Sequence, residues 1–128
     1  MSVDLNMPVL IVDDYQTMLR ILKNLLKQLG FNNVEQASDG TEAMSLLKAT
    51  KFDFVISDWN MEPITGIELL KLVRGDEALK HIPFIMVTAE SKTDNVVAAQ
   101  QAGVSNYIVK PFNAETLKGK MESVIGAF

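Results

Sequence analysis

Short apolar blocks alternate along this chain with longer stretches in which apolar residues return every three or four positions. The blocks are Val9-Leu10-Ile11-Val12, Val34 to Ala37, Phe54 to Ser57, Phe84 to Thr88 and Tyr107-Ile108-Val109. Runs this short and rich in β-branched residues predict strands buried on both faces, Val34 to Ala37 being the weakest. Pro8 and Pro83 each stand at a strand entrance, where a missing N–H is tolerated.

Helical periodicity fills the intervals. Met18, Leu22, Leu25 and Leu29, flanked by Leu19 and Leu26, predict a first helix that stops at Gly30. Ala43, Met44 and Leu47 predict a second, opened by Asp39 as N-cap with Glu42 at capping-box spacing. A third runs from Ile67 to about Arg74, buries Leu69, Leu70 and Val73, and closes at Gly75. The fourth extends from about Lys92 to Ala102 before Gly103, and the last places Leu117, Met121, Val124 and Ile125 on one face. Strand and helix thus alternate five times across short connections. That order predicts parallel strands, right-handed crossovers and a three-layer α/β sandwich. One domain is expected over residues 1–128, with no linker and no separate output module.

Composition narrows the partners. With 48% hydrophobic and 22% charged residues, the chain has the make-up of a globular domain. A net charge of −4 and the lack of a basic stripe argue against nucleic acid as the main partner. The absence of cysteine excludes a disulfide framework and a thiolate metal site. Residues 1–8 lack the basic leader and apolar run of a signal peptide, and no apolar run is long enough to span a membrane. A cytoplasmic protein without a membrane partner is expected.

Polar chemistry gathers where the strands end. Asp13 and Asp14 follow the first strand, Asp58 the third, Lys110 the fifth, and Thr88 closes the fourth. In a parallel sheet these ends share one edge, the edge where ligands bind. Crowded carboxylates repel unless a cation or protons neutralise them, and Mg²⁺ suits carboxylate oxygens while keeping waters that a phosphate can replace. Lys110 offers a compact positive charge and Thr88 a hydroxyl. A carboxylate in that company can attack phosphorus and form an acyl phosphate. Each residue also has a structural explanation: Asp14 could cap the first helix, Asp58 and Asn60 could shape a turn, Thr88 could simply suit a strand, and Lys110 could be an ordinary surface lysine. The chance arrival of every one of these groups on the reactive edge is the weaker explanation. No Gly-rich phosphate loop follows the first strand, no Gly-x-Ser-x-Gly occurs, and the single histidine, His81, has no triad partners.

Val12-Asp13-Asp14, Ser57-Asp58-Trp59-Asn60-Met61, Met86-Val87-Thr88-Ala89-Glu90, Ala102-Gly103 and Tyr107-Ile108-Val109-Lys110-Pro111-Phe112 carry a family resemblance in their order and spacing. The sequence resembles the receiver domain of two-component response regulators, especially the stand-alone chemotaxis type, over essentially its whole length. That resemblance implies a flavodoxin-like fold with strand order 2-1-3-4-5. It implies Asp58 as phosphoacceptor, Mg²⁺ held by Asp13, Asp14, Asp58 and the carbonyl of Asn60, Thr88 and Lys110 contacting the phosphoryl group, and Tyr107 as a switch. A cis Lys110-Pro111 bond is implied too. So is an output face of Lys92, Val96, Tyr107 and Lys120 on the fourth helix, fifth strand and fifth helix. Implied partners are a chemotaxis-type histidine kinase, the flagellar motor switch protein or another output protein, and a phosphatase; a monomer is expected.

Departures from the family pattern are local. Thr93 and Ser123 replace lysines of the chemotaxis type on the output face, and Glu62-Pro63 with Thr65 rewrites the loop after Asp58. Asn60 and Glu90, two positions beyond Asp58 and Thr88, match the chemotaxis type and imply a short-lived phosphoryl group. The alternatives are a Mg²⁺-dependent phosphohydrolase working through an aspartyl phosphate, a phosphorelay shuttle or phosphate sink unrelated to the motor, and an interaction module with a dormant site. The enzyme reading lacks the Asp-x-Asp of such hydrolases on the first strand and the length for a substrate cap.

Overall fold

A computed structural model describes residues 4–59, 61, 64–88, 93–110 and 112–128, with the backbone alone described for 93–96. Strands β1 (Val9–Val12), β2 (Val34–Ala37), β3 (Phe54–Asp58), β4 (Phe84–Thr88) and β5 (Asn106–Val109) alternate with helices α1 (Gln16–Gln28), α2 (Gly40–Ala49), α3 (Gly66–Gly75), α4 (Thr93–Gln101) and α5 (Ala114–Ile125). All strand pairs are parallel, in the order β2-β1-β3-β4-β5.

The period of two explains why the central strands β1, β3 and β4 are apolar almost throughout. Leu10, Val12, Val55, Phe84 and Met86 enter one core with Ala43 and Leu47 of α2 and Leu69, Leu70 and Val73 of α3. Val9, Ile11, Phe54, Ile56, Ile85 and Val87 enter the opposite core with Leu19, Leu22 and Leu26 of α1 and Leu117 and Met121 of α5. Each central strand is covered on both faces, as a parallel sheet requires.

Helix boundaries follow their caps. Gly30 adopts φ +103° just beyond α1, the left-handed stop its position predicts. At α2, the Asp39 carboxylate accepts the Glu42 N–H at 2.8 Å, but Glu42 Oε1 accepts the N–H of Ser38 (3.3 Å) rather than that of Asp39. The expected box is thus displaced by one residue. The complete box lies at α3, where Thr65 Oγ1 accepts the Glu68 N–H and Glu68 Oε1 accepts the Thr65 N–H. Gly75 is the last residue of α3 and has no positive φ, so the helix ends at an extended Asp76 and not at a glycine stop.

Candidate functional site

Parallel pairing puts the expected residues on one edge. Asp13 directly follows β1, Asp58 and Thr88 are the last residues of β3 and β4, and Lys110 directly follows β5. Their neighbours fix the turns there: Trp59 N–H donates to the Val87 carbonyl (2.8 Å), and Lys110 N–H to the Thr88 carbonyl (2.8 Å).

The lysine side chain closes the constellation. Lys110 Nζ donates to Asp58 Oδ1 at 3.0 Å and stands 3.8 Å from Asp13 Oδ2. Asp58 is 6% exposed, Thr88 5% and Asp13 1%, so these polar groups are all but removed from bulk water. Asp14 is exposed, and one carboxylate oxygen from each of Asp13, Asp14 and Asp58 lies within 4.8 Å of the others. Asp14 does not cap α1: the N-cap position is Tyr15, without a side-chain cap bond, and it is Asp13 Oδ1 that accepts the Tyr15 N–H (2.9 Å).

Asp13 carries the electrostatic strain of this arrangement. Burial pushes its pKa from 3.8 up to about 6; the Tyr15 N–H opposes that shift, the charge of Asp58 adds to it, Lys110 opposes it, and Asp14 adds again. Its Oδ2 is buried and makes no hydrogen bond among the described residues. Three carboxylates facing one ammonium, with an oxygen left unsatisfied, form a donor set suited to a small hard cation such as Mg²⁺. Asp13, Asp14 and Asp58 are the side chains here that could hold it.

The loop leaving Asp58 is held by a backbone contact that the residue pattern does not announce. Gly66 N–H donates to the Trp59 carbonyl (2.9 Å). A Cβ on Gly66 would stand 2.1 Å from the Asp58 carbonyl oxygen and 2.9 Å from both Trp59 Cα and Met86 Sδ. Only glycine lets α3 start this close to the end of β3. Thr65 to Glu68 does match the capping-box spacing, so the start of α3 had a legible signal, but the approach of Gly66 to Asp58 had none.

Of the expected output residues, Tyr107 and Lys120 come together. Tyr107 is half-buried, and Lys120 Nζ lies 5.1 Å from the centre of its ring. Ser123, one of the departures from the family, accepts a hydrogen bond from Asn106 Nδ2 (2.7 Å) and donates to the Lys120 carbonyl (2.6 Å), tying α5 to β5. Asn60, Glu62, Pro63, Glu90, Lys92, Pro111 with its expected cis bond, and the side chains of Thr93 and Val96 lie outside the described residues.

Comparison with known proteins identifies the family. Residues 9–122 match the family model described as the response regulator receiver domain. Over 119 residues the chain is 56% identical to chemotaxis protein CheY-3 of Vibrio cholerae, covering 93% of this chain and 92% of that protein. It is 56% identical over 118 residues to chemotaxis protein CheY of Pseudomonas aeruginosa, covering 92% and 95% respectively. Among solved structures, Vibrio cholerae CheY4 at low pH superposes with a TM-score of 0.87 at 35% identity, covering 93% of this chain and 98% of that one. A match that takes in all five strands, at this level of identity, settles the family: the chain belongs to the response regulator receiver domains.

Proposed function

We propose that this protein is a stand-alone response regulator of the chemotaxis type, in which Asp58 stores a phosphoryl signal received from a histidine kinase. The observation that carries the reading is the hydrogen bond from Lys110 Nζ to Asp58 Oδ1 beside an unsatisfied Asp13 Oδ2. It supports Asp58 as the nucleophile: an Asp58 oxygen bonds to phosphorus while the bond from phosphorus to the donor's imidazole nitrogen, or to the acyl oxygen of a small acyl phosphate, breaks. The negative charge then grows on the phosphoryl oxygens, where Lys110 and the Thr88 hydroxyl would meet it. Asp13, Asp14 and Asp58, with the Asn60 carbonyl, would hold Mg²⁺, which supplies charge neutralisation of the carboxylates and phosphoryl oxygens.

The signal leaves by a population shift. Thr88 and Lys110 would each contact phosphoryl oxygens that exist only in the phosphorylated form, and Tyr107 would transmit the change to the surface of α4, β5 and α5. Chemotaxis is supported by the 56% identity to two proteins named for it, which makes the flagellar motor switch protein the first output partner to test. The reading extends to a single domain over 1–128, a cytoplasmic monomer, and no enzymatic activity beyond phosphotransfer and self-dephosphorylation. Among the described residues no helix is long and apolar enough to cross a membrane.

Incubation with a small acyl phosphate and Mg²⁺ tests the core of this. Mass spectrometry should show one phosphoryl adduct on the wild type and none on Asp58→Asn, with decay well within an hour. The chain's single tryptophan, Trp59, is adjacent to Asp58 and should change its fluorescence in step. No adduct, an adduct at another residue, or a phospho-form persisting for hours would count against the reading. Retention of the flagellar switch protein by the phosphorylated form alone would establish the output.

A further inference from the structure

At the opposite edge of the sheet, where β3 and β4 begin, lies a half-open cavity of about 320 Å³. Its walls are the end of α2 with the loop into β3, and the connection from α3 to β4. Leu47, Phe52, Leu79 and Ile82 line it, each at least 94% buried, so its floor is apolar and preformed. The volume falls at the lower end of the range for small-molecule sites.

The rim is basic in a chain that is acidic overall. Lys48, Lys51 and His81 line the cavity and are exposed, against one acidic residue, Asp53. Lys80 stands outside the lining and is committed to Glu77 at 3.0 Å. Lys48 lies in the last turn of α2, where the helix dipole favours it. No such role accounts for Lys51 and His81, which come from the two opposing walls and have no ion pair or hydrogen bond among the described residues. An apolar floor beneath unpaired basic side chains suits a small organic molecule that carries negative charge on an apolar body.

We propose that this cavity is a binding site for a small organic anion with an apolar body, with Lys51 receiving the charge, His81 on the facing wall offering a ring N–H, and Phe52, Leu79 and Ile82 receiving the body. It is distinct from the carboxylate cluster, which sits at the other ends of the same strands. Nothing in it depends on phosphorylation of Asp58.

Benzoate is the probe and benzamide its uncharged isostere. Titration of the full ¹⁵N-labelled chain with benzoate should shift the amide resonances of residues 47–53 and 78–83, with a millimolar dissociation constant that Mg²⁺ does not change. Benzamide should bind at least about fivefold more weakly, and Lys51→Glu should weaken benzoate about tenfold or more. Lys51 is exposed, so that variant should fold normally; Leu79→Trp, which fills the floor, provides a second variant that should abolish binding. No localised shifts, equal binding of benzamide, displacement by Mg²⁺, or a Lys51→Glu variant that binds as wild type would each overturn the proposal.

Discussion

Among the described residues, Asp13 combines burial with an unsatisfied carboxylate oxygen, and that discomfort has a measurable sign. Its carboxyl is 1% exposed and its pKa is pushed up to about 6 in the folded state, from the 3.8 of an exposed carboxylate. Between these values the folded protein binds a proton that the unfolded chain has released, so stability falls as pH rises through this window. The penalty is absent below the lower value and complete above the upper one, reaching on the order of 3 kcal/mol at neutral pH in the metal-free protein. Asp13→Asn removes the charge and leaves an amide oxygen to accept the Tyr15 N–H. In urea unfolding at pH 7 with a chelator present, it should therefore be more stable than wild type, by about 1–3 kcal/mol. Added Mg²⁺ should stabilise the wild type and leave the variant unmoved. A variant less stable than wild type in chelator would show that the carboxylate is not strained.

Among the elements, the central strands and the faces of α1, α2, α3 and α5 were legible because both faces of a central strand and one face of each helix must be apolar to make two cores. The site was legible for a related reason: a carboxylate or lysine at the end of an apolar strand has only one edge of the sheet to occupy. Contacts made through backbone carbonyls were not legible. Gly66 reads as a loop glycine, yet its missing Cβ sets the distance between α3 and Asp58. Gly75 reads as a helix stop, yet a Cβ there would meet nothing within 4 Å. The pair makes a paired test. Gly66→Ala must force α3 away from β3 and should cost roughly 1–3 kcal/mol or more, with altered Trp59 fluorescence. Gly75→Ala, in the last turn of the same helix, should be neutral or stabilising by up to about 1 kcal/mol. Equal effects from the two substitutions would refute the close-approach argument.

At the scale of the whole molecule, the two edges of the sheet do opposite work. The edge at the strand C-termini concentrates like charge and an unsatisfied oxygen, which costs stability at the proposed phosphorylation site. The other edge is braced by Arg74, at the end of α3. Its Nε donates to the Gly103 carbonyl (2.8 Å), its Nη1 to the carbonyls of Ile82 (2.7 Å) and Lys80 (3.0 Å), and its Nη2 to Ser105 Oγ (3.4 Å). Ser105 Oγ in turn accepts the N–H of Phe84, the first residue of β4. One planar fork thus joins the end of α3, the entrance of β4 and the turn between α4 and β5, where Gly103 takes φ +91° against the arginine side chain. Burial pulls the guanidinium pKa down, so desolvation sets a cost that the carbonyl bonds must offset. Arg74→Ala leaves those carbonyls without their donor and should destabilise by roughly 2–4 kcal/mol in urea unfolding. Arg74→Lys should recover less than half of that, because an ammonium cannot span the same acceptors. Both variants should keep the phosphoryl labelling of Asp58, since the brace lies at the far ends of the strands that carry it. Full rescue by lysine would mean that charge, and not the geometry of the fork, ties these segments together; loss of labelling in a variant that remains folded would mean that the two edges are not independent.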